Sequence, residues 1–129
     1  MNGNSVFVDT NILVYLLNEN ESALKILNHK KVFISVITEM EMLCSHKLTE
    51  SELVIIQSLI DDCIVINLNN EIKQEAIYLR RHYKLKLPDC IVAATASYVG
   101  LPIITADNDF SQIAMEYEVQ LFSPNKHLE

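Results

Sequence analysis

The stretch Val6 to Leu17 reads VFVDTNILVYLL and sets one carboxylate, Asp9, among nine hydrophobic side chains. Its opening, Ser5 to Val8, is a short β-branched run apolar on both faces, the pattern of a strand buried on both sides in a parallel sheet. Asp9 then falls at the carboxyl end of that strand, and a helix is expected from near Ile12, with Thr10 and Asn11 available to cap it. An isolated ionised carboxylate in such surroundings is costly unless a metal, a basic partner or a proton neutralises it. The fold must therefore cover a sheet on two faces and supply a partner for Asp9.

The pattern recurs. Val32 to Ser35, Cys63 to Leu68, Leu101 to Thr105 and Val119 to Phe122 read as further strands, all short and apolar. Between them lie helical stretches around Ala23 to Leu27, Ile37 to Leu48, Ser51 to Ile60, Asn70 to Tyr83, Cys90 to Val99 and Ser111 to Met115. In Asn70 to Tyr83, Ile72, Ala76, Ile77 and Leu79 are expected to face inward. The helix from Cys90 has no charge and is apolar nearly all round, so it is expected at the centre of the molecule; Pro88 suits its first turn and Gly100 its end. Strands alternating with helices imply an α/β fold with a mostly parallel sheet covered on both sides, and the ligand crevice of such folds lies outside the carboxyl ends of the strands.

With 129 residues, half of them hydrophobic, and only two Gly and three Pro, the chain can bury a sizeable core, and a single domain over residues 1–127 is expected. Leu128-Glu129 have the character of an expression-tag remnant. No apolar run reaches the roughly 18 residues of a membrane helix, and MNGNS lacks the basic start of a signal peptide, so a cytoplasmic location is expected, with no membrane partner. Cys44, Cys63 and Cys90 form no C-x-x-C pair and are expected to be buried thiols rather than disulfides or zinc ligands. A net charge of -7 argues against a protein that holds nucleic acid, DNA included, mainly through a basic surface.

Four acids are placed to converge on one sheet edge: Asp9 after the first strand, Glu41 on the helix after the second, Asp89 at the start of the helix before the fourth, and Asp107 after the fourth. Glu39 and Glu41 lie about 200° apart around a helix and cannot serve one site. The expected apolar stripe Ile37, Met40, Cys44 and Leu48 places Glu41 on the packed face and Glu39 on the solvated side near His46. Asp61-Asp62 reads as a solvated turn, and Asp89 has the alternative of a helix cap. Converging carboxylates repel, and a hard divalent cation bound by oxygen, Mg²⁺ or Mn²⁺, resolves the conflict. His29, His46, His82 and His127 stand at no ligand spacing from one another, which disfavours zinc. Such a centre suits phosphodiester hydrolysis. The basic cluster Arg80, Arg81, Lys84 and Lys86 precedes Asp89 and either holds substrate phosphates or forms a solvated helix end.

V-F-V-D-T-N at the start, S-x-x-T-x-x-E from Ser35 to Glu41, P-D-C-I-V-A-A-T-A from Pro88 and I-I-T-A-D-N-D-F from Ile103 together resemble a PIN domain, in particular the VapC-type toxin ribonucleases of bacterial toxin–antitoxin pairs. The resemblance covers essentially the whole chain. It implies a three-layer α/β/α fold and a Mg²⁺- or Mn²⁺-dependent endoribonuclease. Asp9, Glu41, Asp89 and Asp107 match the family's acidic quartet, and Thr10, Asn11 and Thr105 match supporting residues. For the fourth acid the family's spacing varies, leaving Asp107 and Asp109 as alternatives; Asp107 is preferred, with Asp109 as a cap of the following helix. The resemblance also implies an antitoxin partner that blocks the acidic pocket, and frequent homodimers.

Two other classes compete. One is a PIN-like module that no longer cleaves and only binds RNA or protein. The other is a different acid-centred α/β protein: a haloacid-dehalogenase-type enzyme would want a second Asp where Asn11 stands, and a response-regulator receiver would want a clustered acidic pair after the first strand and a lysine after the last strands.

Overall fold

In a computed structural model that describes residues 3–125, the strands are β1 (Ser5–Val8), β2 (Lys31–Ser35), β3 (Ile64–Ile66), β4 (Ile103–Thr105) and β5 (Val119–Leu121). They form one sheet in the order β3-β2-β1-β4-β5, and all four pairings are parallel. The helices are α1 (Thr10–Leu17), α2 (Glu21–Leu27), α3 (Val36–Leu43), α4 (Glu50–Asp61), α5 (Asn70–His82) and α6 (Leu87–Val99), followed by a 3-10 helix over Asn108–Ile113. His127 and Leu128-Glu129 lie outside the described residues.

Strand alternation divides the interior into two cores. Phe7 and Ile103 face a cluster built with Ile72, Ala76 and Leu79 of α5, Cys90 to Ala96 of α6, and Phe110 and Ile113 of the 3-10 helix. Val8, Ile34 and Ile104 face Ile12 and Leu13 of α1, Ala23 and Leu27 of α2, Met42 of α3, and Ile56 and Ile60 of α4. Helices thus cover both faces of the sheet, a three-layer α/β/α sandwich. No helix among the described residues is long and apolar enough to cross a membrane.

The order of strands matters for function. From β1 the chain steps outward to β2 and β3, then returns to β4 on the other side of β1 and continues to β5. β1 and β4 therefore flank the point where the winding reverses, and the ligand site of such folds lies beyond the carboxyl ends of the strands there.

Several sequence expectations are corrected. α1 starts at Thr10 rather than near Ile12, and its cap is Asp9, whose side chain accepts a hydrogen bond from the Thr10 N–H. α3 stops at Leu43 and buries Thr38 and Met42, not the stripe Ile37, Met40, Cys44 and Leu48; Met40 is 59% exposed. The stripe failed because Cys44 and Leu48 lie past the helix end and because the buried face carries a threonine, a residue type that pattern reading assigns to solvent. Ile77 of α5 is exposed. Of the three thiols only Cys90 is buried; Cys63 is half-buried and Cys44 exposed, and all three are free. The last helix is a 3-10 helix that begins three residues before the expected start.

α6 behaves as expected. It buries Cys90 and Val92 to Ala96, and ends at Gly100, whose φ of 76° is the left-handed conformation that glycine adopts without a Cβ penalty. Lys86 occupies its N-cap position without a side-chain cap bond, so Asp89 lies inside the first turn and is not the cap.

Candidate functional site

Asp9 is 5% exposed and continues the extended backbone of β1 by one residue, its N–H bonding the carbonyl of Ile104. It is held at both carboxylate oxygens. Oδ1 accepts from the Thr10 N–H at 2.8 Å, and Oδ2 accepts from Asn11 Nδ2 at 3.1 Å and from the Thr105 hydroxyl at 2.8 Å. A carboxylate offers about four acceptor positions, so three are used and one on Oδ1 remains.

The supporting residues knit β1 to β4. Asn11 Oδ1 accepts from the Ala106 N–H at 3.0 Å while its amide nitrogen serves Asp9. Thr105, fully buried, donates to Asp9 and accepts from the Asp107 N–H at 3.0 Å. Thr10 and Asn11 were expected as possible caps for α1; with Asp9 in that role, both side chains are free to build the site.

Thr10 also reaches α3. Its hydroxyl donates to Glu41 Oε1 at 2.6 Å and lies 3.0 Å from the Thr38 hydroxyl. Thr10 has one proton, so with that proton on Glu41 the buried Thr38 is the donor to Thr10. Thr38 is a residue the sequence reading did not single out; its place in S-x-x-T-x-x-E, one helical turn before Glu41, was the available signal. Glu41 is itself exposed, not packed, and stands at the rim of the crevice over Thr10. The expected choice of Glu41 over Glu39 agrees with this contact, but the buried stripe used to reach it does not exist.

Asp107 caps the 3-10 helix, its Oδ1 accepting from the Asp109 N–H at 2.9 Å. The expectation that Asp109 is the cap is thus reversed: Asp109 is exposed in the first turn. Asp107, not Asp109, acts electrostatically on Asp9 and Asp89.

Burial pushes the Asp9 carboxyl up; bonds from Thr105 and Thr10 pull it down, and the charges of Glu41 and Asp107 raise it further. Asp89 is pushed up to about 6, first by burial, then by Asp9, Asp107 and Glu41, with Lys86 opposing. Asp89 therefore feels the charges of the other three acids, and Asp9 those of Glu41 and Asp107. Arg80, Arg81, Lys84 and Lys86 are exposed, and of these Lys86 is near enough to act on Asp89.

Among the described residues, no group of three or more His, Cys, Asp or Glu side chains is arranged to hold a metal ion as it stands. A hydrated Mg²⁺ needs no such cage, since it keeps several waters and takes one or two carboxylates. The donor set fits that ion: oxygen only, mutually repelling, with an acceptor position of Asp9 unused and no hydrogen bond to the Asp89 carboxylate among the described residues. Asp9 and Asp89 are the residues that could hold such an ion directly, with Glu41 and Asp107 near enough to contribute.

Comparison with known proteins follows the same lines. A chain of a toxin-antitoxin complex from Klebsiella pneumoniae is 31% identical, with a TM-score of 0.76 over 92% of this chain and 97% of its own. VapBC2 from Rickettsia felis, bound to a DNA fragment from its promoter, is 18% identical with a TM-score of 0.76, covering 92% and 99%. VapC20 of Mycobacterium tuberculosis, a Sarcin-Ricin loop cleaving toxin, is 20% identical with a TM-score of 0.65, covering 91% and 99%; these last two show the shared fold. No curated protein matches the chain. Residues 6–116 match the PIN domain, and the chain belongs to that family.

Proposed function

We infer that this protein is a Mg²⁺- or Mn²⁺-dependent endoribonuclease, the toxin of a toxin–antitoxin pair, acting in the cytoplasm. The observation that carries the reading is Asp9: a buried carboxylate at the β1/β4 switch point, with neutral donors around it and three more carboxylates facing it. A protein that only bound RNA would gain nothing from such repulsion.

The ion, when bound, supplies an activated water and neutralises charge developing on the scissile phosphate. The chain's own residues prepare the place. Thr10, Asn11 and Thr105 lock the plane of Asp9, so its remaining lone pair has one direction. Thr105 fixes the backbone of Asp107 from the same hydroxyl, which sets the separation of those two acids. The Thr38–Thr10 pair holds Glu41 at the rim. Lys86 is the cation nearest Asp89 and is placed to meet a substrate phosphate, which arrives with the opposite charge. RNA is the substrate class proposed because VapC20, of the same fold, cleaves the sarcin-ricin loop. The partner proposed is an antitoxin protein, as in the Klebsiella and Rickettsia complexes. DNA is not proposed as a ligand of this acidic chain by itself.

The test is cleavage of structured RNA by purified protein with Mg²⁺ or Mn²⁺, with and without chelator, beside Asp9→Asn and Asp89→Asn. Cleavage is expected only from the wild type with metal. Equal cleavage in chelator, or full activity in both variants, overturns the nuclease reading. For the toxin role, expression without a partner is expected to arrest growth in an Asp9-dependent manner, and unimpaired growth counts against it.

A further inference from the structure

The connection between α5 and α6, residues 83–86, carries Lys84 and Lys86 and leads directly into Asp89. It is bound to the 3-10 helix by one side chain. Gln112 Oε1 accepts from the Lys84 N–H at 3.1 Å, and its Nε2 donates to the Lys84 carbonyl at 3.0 Å and to the Asp109 carbonyl at 3.1 Å. Both hydrogen-bonding groups of the Lys84 peptide backbone thus end on a single carboxamide, which also bonds the carbonyl of Asp109 one turn back in its own 3-10 helix. A surface glutamine ordinarily spends its amide on water, so two bonds to the backbone of one distant residue, with a third that holds the side chain to its own helix, mark a specific join.

The join has a consequence for charge. Lys84 and Lys86 are long, exposed cations on a segment with no regular structure of its own; between them Leu85, buried in the core, anchors the segment, and Gln112 adds the tie that fixes the Lys84 backbone. Held by Gln112, the segment keeps a fixed course into α6, where Lys86 acts on Asp89. A second tie joins Tyr83, at the start of the segment, to the chain beyond the 3-10 helix: the Tyr83 hydroxyl donates to Glu116, as does the Tyr78 hydroxyl at 2.9 Å.

We propose that Gln112 is a positioning residue for substrate, fixing the Lys84–Lys86 segment against the 3-10 helix so that these two lysines hold the phosphodiester backbone of RNA beside the acidic crevice. The proposal rests on the ribonuclease reading above. Gln112 touches no substrate itself; it acts through Lys84 and Lys86.

The experiment measures binding of a fluorescent single-stranded RNA oligonucleotide in chelator, where metal-assisted cleavage is suppressed. The proteins are wild type, Gln112→Met, Gln112→Ala, Lys84→Ala/Lys86→Ala and the triple combinations. Each phosphate contact on a single strand contributes a slope of about 0.7 in log affinity against log salt, so the lysine pair is expected to lower the slope by about 1.4 and either Gln112 variant by about 0.7. The discriminating result is coupling: the Gln112 substitutions are expected to weaken binding in the wild type and to have no effect once both lysines are gone. Either variant keeping wild-type affinity and slope, an equal loss with and without the lysines, or absence of RNA binding by the wild type overturns the proposal. Melting curves accompany each protein, and Gln112→Ala at this exposed position serves if Gln112→Met folds poorly. RNA bound with the predicted coupling but never cleaved with metal would instead overturn the nuclease reading alone.

Discussion

At the proposed metal site a proton and a cation would compete for the same oxygens, and Asp89 would show the competition most simply because no hydrogen bond among the described residues complicates it. Its carboxyl titrates at about 6 in the folded protein against an ordinary value of 3.8. Between those values the folded state holds a proton that the unfolded chain has released. Its contribution to stability is therefore complete below pH 3.8 and lost as pH rises through 6. Metal-free protein is expected to melt higher at pH 5 than at pH 7.5. Asp89→Asn is expected to raise the melting temperature in chelator at pH 7.5 and to flatten the pH dependence, as read by circular dichroism; a lower melting temperature would show that Asp89 is stabilised by something other than a cation. Thr105 provides the opposite case, a buried hydroxyl that serves two partners. Thr105→Val leaves the Asp9 oxygen and the Asp107 N–H short of a partner. It is expected to cost about 1–3 kcal/mol in chemical denaturation and most of the cleavage activity, with Thr105→Ser restoring both.

At the scale of elements, much was legible. Two-sided apolar runs marked all five strands, and the charge-free stretch from Cys90 to Val99 marked α6 as the central helix, because burial on all sides leaves a compositional trace. Boundaries and faces were less legible where polar side chains do interior work. Asp9 reads as the end of a strand and is also the cap of α1, so Thr10 and Asn11, which looked like caps, turned out to be construction for the site. α3 buries Thr38, and a hydrophobic stripe cannot reveal a threonine. Asp107 and Asp109 differ by one turn position, and their relative roles depend on the 3-10 geometry, which has no clear sequence period. The one glycine that ends a helix is a further test at this scale. Gly100→Ala meets no atom within 4 Å but must hold φ at 76°, so a cost of about 1 kcal/mol with cleavage unchanged is expected, measured by urea unfolding.

At the scale of the molecule, the site is a product of topology. Five parallel strands in the order β3-β2-β1-β4-β5 place the ends of β1 and β4 side by side, and acids separated by up to 98 positions meet there. The quartet was legible as four motifs in order, while its convergence depended on a strand order that the motifs do not state. The cost of that convergence is electrostatic, in a chain already carrying a net charge of -7, and the proposed divalent ion would offset it. Titration of free Mn²⁺ by electron paramagnetic resonance at pH 7.5 measures that claim directly. Saturable binding by the wild type, weakened at least about tenfold by Asp9→Asn and by Asp89→Asn and relaxed as pH falls below 6, is the predicted result. No saturable binding, or binding indifferent to both substitutions, would contradict the account.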